Sequence, residues 1–222
     1  MQWAFPTRQW VRWCALATML INKPMERELF RGCTKASLLL AATIALAACS
    51  PKLDWRTVQS PHERYTALFP GKPDKLERRI SYQDQELLQT LEAVKIDDDI
   101  YSISSIQVPT NQAAATEKII TQLQNNLFER AKASGGTVIE EGATYQMSNR
   151  QRLPTIDYFI TFKADSNVAQ QMRVRWITRQ ANNGDAWIYQ VSVLHPNANT
   201  ENAKTILSKE EYKNFFSEFY PE

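Results

Sequence analysis

Few side chains in these 222 residues could do covalent or metal chemistry. Cysteine occurs as Cys14, Cys33 and Cys49, and histidine only as His62 and His195. The two imidazoles lie far apart with no ligand spacing around either, which argues against a zinc site. Lys72 follows Gly71, but the Gly-x-x-x-x-Gly-Lys-Ser/Thr frame of a phosphate loop is absent. Asp97-Asp98-Asp99 lacks the glycine and downstream glutamate of a calcium loop and falls where a hairpin turn is needed. There is no Gly-x-Ser-x-Gly elbow and no Ser-x-x-Lys at a plausible helix start. His195, just before Pro196, reads as a packed strand-end histidine. No catalytic, metal-binding or cofactor-binding residue is expected. Two groups with usable chemistry remain. One is the thiol of Cys49, and the other is Arg173, Arg175 and Arg179. At two- and four-residue spacing on a strand, these arginines share a face and could pair with carboxylate or phosphate. A solvated, charge-paired face is the plainer reading of them.

Cys49 stands at the end of an uncharged run. Ala36 to Ala48 contains only Ala, Leu, Ile, Ser and Thr, with Arg27, Arg31 and Lys35 before it. That run falls short of the ~20 apolar residues that span a bilayer core. It has the length of the apolar region of a secretory signal with a basic flank. Leu46-Ala47-Ala48-Cys49 resembles the lipobox of bacterial lipoproteins. The resemblance implies that the Cys49 thiol accepts a diacylglyceryl group, that a peptidase cuts before Cys49, and that the new amine is acylated. Two or three acyl chains hold a protein firmly to a membrane where one does not. An uncleaved anchor helix is the alternative. By the same resemblance, Ser50 rather than Asp after the cysteine favours the outer membrane.

Translation from Met25 makes residues 25–48 a signal of ordinary length, and residues 1–24 are then an extension outside the protein. A real extension, amphipathic through Trp3, Trp10 and Trp13 with Arg8 and Arg12, is the other reading. Both yield the same processed chain, which starts at Cys49. Residues 1–48 hold six of the 26 Lys and Arg and two of the 24 Asp and Glu, which leaves a net charge of −2 downstream. No concentrated basic footprint argues for nucleic acid. Processing also removes Cys14 and Cys33 and converts Cys49 to a thioether, so no disulfide or thiolate ligand is expected.

Residues 49–54 read as a lipidated tether and residues 55–222 as a single domain. A strand over Tyr65 to Phe69 is stopped by Pro70-Gly71-Lys72-Pro73. Strands follow over Glu77 to Tyr82 and Glu86 to Ile96, paired around Gln83-Asp84-Gln85, and then over Ile100 to Val108. Ile119, Leu123, Leu127 and Ala131, with Ile120 and Phe128 beside them, form the stripe of a helix from about 112 to 134. Gly135-Gly136 ends it. Strands return over Val138 to Met147 and around Tyr158 to Phe162, with Ser148 to Thr155 read as a polar turn.

Met172 to Leu194 reads as a hairpin with a two-residue type I′ turn at Asn183-Gly184. That register opposes Val191 to Trp176, Val193 to Val174 and Tyr189 to Thr178. It sets Arg173, Arg175 and Arg179 on a largely polar face with Gln190 and Ser192. Ser208 and Glu211 predict a capping box. Tyr212, Phe215, Phe216 and Phe219 predict one aromatic helix stripe docked on the sheet.

These elements predict an α+β fold of about six to eight mostly antiparallel strands covered by the amphipathic helix and a C-terminal helix. Phe69 to Pro73 and the element order over roughly 55 to 220 resemble the PsbP-like α/β sandwich of several bacterial lipoprotein families. That fold hosts no single chemistry. The expectation is therefore a lipid-anchored, non-enzymatic binding or assembly module facing the periplasm. It is attached to the membrane through Cys49 and has an envelope protein as partner. A domain binding a small anionic ligand on the arginine face is the alternative, and a hydrolase is the least supported.

Overall fold

The computed structural model describes residues 52–82, 85–163, 169–198 and 202–222. The signal, the lipobox at Leu46 to Cys49, Ser50 and the turn residues Gln83 and Asp84 lie outside the described residues. Residues 52–222 belong to one compact unit.

Among the described residues, ten strands form two antiparallel sheets, more than the sequence predicts. The larger has seven: β3 (Asp74–Tyr82), β4 (Gln85–Ile96), β5 (Asp99–Val108), β6 (Thr137–Gln146), β7 (Arg152–Lys163), β8 (Ala169–Gln180) and β9 (Ala186–Ala198). Their order is β3-β4-β5-β9-β8-β7-β6. The smaller joins β1 (Arg56–Ser60) and β10 (Phe219–Pro221) to the two sides of β2 (Tyr65–Phe69). Asp54 N–H already donates to the Pro70 carbonyl at 3.0 Å, so the tether ends one residue sooner than predicted.

The central strands β5, β8 and β9 of the large sheet are buried on both faces, which is why they carry apolar residues at consecutive positions. Over one face lies α1 (Thr116–Ala133), entered through a 3-10 turn at Thr110–Ala115. Ile119, Ile120 and Leu123 pack on Leu87, Ile106 and Ile188, while Leu127, Phe128 and Ala131 pack on Tyr158, Ile160 and Trp176. The predicted stripe is the one buried. Gly135, at φ 70°, and Gly136 close the helix by donating to the carbonyls of Lys132 and Ala131. That pair of bonds is a Schellman stop.

The other face carries the main core. The small sheet, α2 (Ala203–Leu207) and α3 (Glu210–Ser217) cover Tyr101, Ile103, Tyr189, Val191 and Val193 with Tyr65, Phe69, Leu207, Tyr212, Phe215 and Phe216. Two predictions at the C-terminus are corrected here. Ser208 is the C-cap of α2, and α3 begins after Lys209 without a side-chain cap, so no capping box forms. Phe219 is not helical. It pairs with Ala67 as part of β10 and presses on Tyr65 and Tyr189.

The predicted turn over Ser148 to Thr155 is also shorter in the structure. β7 starts at Arg152 and includes Pro154, opposite Thr144. Pairing of β7 with β8 begins only at Asp157, so the missing N–H of Pro154 removes no bond from that ladder.

Four phenols close this core. Tyr65 donates to Glu92, Tyr189 to the carbonyls of Glu63 and Arg64, and Tyr212 to Asp99. Tyr101 stacks on Tyr212. Burial first, then nearby carboxylates, raises the pKa of all four, except that Tyr189 also feels arginines that lower it. A raised folded-state pKa means their contribution to stability is complete below the ordinary phenol value of about 10. It is lost as pH rises beyond that value. In an alkaline titration, tyrosinate absorbance should therefore report four of the eight tyrosines ionising only together with loss of the folded circular dichroism signal. Eight phenols titrating near pH ~10 in an intact fold would contradict this core.

Candidate functional site: an arginine-lined cleft

The β8–β9 register decides where the arginines go. Gln180 opposes Ala186, and residues 181–185 form the loop, closed by Ala181 N–H to the Asp185 carbonyl and Gly184 N–H to the Ala181 carbonyl. The turn is not the two-residue type expected, because Asp185 is fixed from outside the hairpin. Its carboxylate accepts from Thr110 N–H at 2.9 Å, Thr110 Oγ1 at 2.8 Å and Gln107 Nε2 at 3.0 Å. Every pair shifts by one residue as a result. Arg173 now opposes Val193, Arg175 opposes Val191 and Arg179 opposes Trp187. The predicted polar face is thus the face of the main core.

Arg173 and Arg175 are 8% and 3% exposed, and Asp157, brought between them by β7, is 2% exposed. Arg173 Nη2 and Nε reach Asp157 Oδ2 at 2.6 and 3.1 Å. Arg175 Nε reaches Oδ1 at 2.5 Å, and its Nη2 reaches Oδ2 at 2.9 Å. The two Nη1 groups donate to Leu207 O at 3.0 Å and Phe216 O at 2.9 Å. These are carbonyls in the last turns of α2 and α3, where a cation also meets the negative end of the helix dipole. Arg173 lies 4.1 Å over the Phe216 ring. One carboxylate thus serves two guanidinium groups, leaving an excess positive charge. Burial lowers the Arg173 pKa, and Asp157 opposes that shift.

Arg179 is not part of this cluster. It lines a separate depression with Glu117 and Thr178, and its Nε is buried without a hydrogen-bond partner among the described residues. The predicted trio is therefore a pair plus a remote third. Sequence reasoning missed Asp157, although it immediately precedes the strand predicted around Tyr158 to Phe162 and is the lone acid of β7.

A cleft of about 530 Å³ opens over the pair. Residues 141–146 of β6 form one side, and Ser208, Lys213, Phe216 and Ser217 form the other. Arg152 and Lys213 are exposed at its rim. Glu141 also lines it and is paired with Lys204 at 3.2 Å.

No protein-family model matches the chain, and no curated protein matches it.

His195 lies within β9 rather than after it, with Nδ1 2.5 Å from Asp99 Oδ1. Asp99 also accepts from Tyr212, so the carboxylate joins β5, β9 and α3. The other two aspartates form ion pairs at the turn, Asp97 with Lys52 and Asp98 with Lys95. Among the described residues, no group of three or more His, Cys, Asp or Glu is placed to hold a metal ion. No described helix is long and apolar enough to cross a membrane.

Proposed function

We propose that the chain is a lipid-anchored, non-enzymatic binding or assembly module of a bacterial cell envelope, held at the outer membrane and facing the periplasm. The single observation that carries this reading is Leu46-Ala47-Ala48-Cys49 at the end of a short apolar run with a basic flank. The domain begins soon after. From Cys49 to Asp54 an extended chain reaches at most roughly 18 Å, so the domain would stay close to the lipid surface. The finer fold assignment, a PsbP-like sandwich, is supported by Phe69 to Pro73 and by the order of strands and helices.

The test is the intact mass of the protein extracted from membranes, beside a Cys49→Ala variant. The expected wild-type species starts at Cys49 and carries acyl mass, while the variant remains an unlipidated precursor. A wild-type chain that retains the residues before Cys49 without lipid would overturn the anchor.

A second reading, a domain that takes a small anionic ligand, is favoured by the charge excess of Arg173 and Arg175 at the cleft. Removing those two arginines cannot test it, because both also hold helix carbonyls. Rim variants can.

A further inference from the structure

β6 ends the seven-stranded sheet and pairs only with β7. The backbone groups along its outer side meet no hydrogen-bond partner among the described residues, and β10 approaches it only at its end, where Ser148 N–H donates to the Pro221 carbonyl at 3.2 Å. The opposite end strand, β3, is guarded by Lys75, Glu77, Arg78 and Arg79, charges of the kind that keep a strand edge from pairing. β6 carries charge only at Glu140 and Glu141, and from Gly142 to Gln146 it has none.

That uncharged half is also the half that lines the cleft. Side chains on a strand alternate between faces, so a cleft touched by six consecutive residues reaches the edge of β6, and Asp157, Phe159, Arg173 and Arg175 carry it from there onto the main-core face. Six residues span about 20 Å at strand rise, the length of a short extended peptide. Opposite β6, α3 supplies Phe216 and Lys213 as the second wall.

The inner wall of this groove is cationic. Each guanidinium has five N–H donors, and the bonds to Asp157 and to the helix carbonyls use three on each. Two remain on Arg173 and two on Arg175 among the described residues, and Glu141, the other carboxylate that acts on Arg173, is already paired with Lys204.

We infer that an extended polypeptide segment adds to the free edge of β6 and lays a carboxylate against Arg173 and Arg175. Main-chain pairing supplies the affinity, and the carboxylate in the groove supplies the selectivity. This deepens the binding-module reading and rests on it. The carboxylate neutralises the excess charge that burial makes unfavourable, and Lys213 and Arg152 draw it in from the rim.

The probes are capped pentapeptides, acetyl-Thr-Val-X-Val-Thr-amide with X as Asp, Asn or Lys, added to the folded protein. Calorimetry reads affinity, and amide hydrogen exchange reads residues 141–146. The expected result is slowed exchange along β6 with the Asp peptide, binding about tenfold tighter than with the Asn peptide, and none with the Lys peptide. Lys213→Glu and Arg152→Glu, both at exposed positions, should each weaken the Asp peptide about tenfold without moving the melting temperature.

Three results would overturn the inference. One is no slowing of β6 exchange with any peptide at millimolar concentration. Another is equal binding of the Asp and Asn peptides. The third is inorganic phosphate binding as well as the Asp peptide while β6 exchange stays fast, which would make the cleft a small-anion site. Sedimentation showing a dimer whose β6 amides are already protected would instead assign the edge to a second copy of the chain. The mass of the Cys49 species is unaffected by any of these outcomes, so groove and anchor fail separately.

Discussion

Asp157→Asn is expected to lower the melting temperature by roughly 6–20 °C. The substitution preserves shape and removes the carboxylate that pairs with both buried guanidinium groups. Breaking a buried pair by deleting one partner costs about 3–5 kcal/mol, because the remaining charge is left uncompensated. For a chain of this size each kcal/mol moves the midpoint by about 2–4 °C.

The informative comparison is Arg173→Met. That change leaves Arg175 and Asp157 as a balanced pair and removes one bond to Leu207 O. It should cost about 1–3 kcal/mol, the penalty of a single buried acceptor left unpaired. Urea unfolding of both variants checks the ordering. If Asp157→Asn proves the milder of the two, the excess charge at the cleft is not what the geometry implies, and the groove loses its electrostatic basis.

Gly136→Ala should cost about 3 kcal/mol or more, an unusually large effect for adding one methyl group. A Cβ at Gly136 would stand 1.7 Å from the Thr161 carbonyl oxygen and 3.0 Å from that of Ala131. Both obstacles are backbone, so neither can swing away. Relief requires α1 to lift from β7, which would open the packing of Ala131 against Ile160 and Trp176. Gly142→Ala is the control, because the added methyl there enters open space. It should change stability by less than about 1 kcal/mol. Thermal unfolding of the pair measures the contrast, and equal midpoints would show that the helix does not approach the strand this closely.

The helix was legible because α1 touches the sheet along one side only. Ile119, Leu123, Leu127 and Ala131 therefore repeat at helical spacing, and Gly135-Gly136 marks a stop that needs positive φ at Gly135. The strands were legible one by one, but not the β8–β9 register. Local turn preference favoured Asn183-Gly184, while Thr110 and Gln107, distant in sequence, hold Asp185 and enlarge the loop. Alternation could not correct the slip, since both faces of β8 and β9 are apolar. Arg173 and Arg175 were singled out with their shared face, yet their burial depended on that register and on an acid from another strand. β1 and β10 are short, and only their pairing with β2 identifies them as strands.

That last arrangement bears on how such a chain matures. β2 takes its two neighbours from opposite ends of the described domain, β1 just before it and β10 near residue 220. The small sheet, and the phenols and rings beneath it, cannot assemble while the downstream segment is still inside a ribosome or a translocation pore. Closing a contact between such distant segments is slow compared with forming local hairpins. Every strand of the large sheet precedes residue 199, so what the final strand withholds is the small sheet and the core beneath it. For a protein exported unfolded, as we propose, the small sheet would then be the last part of the domain to close.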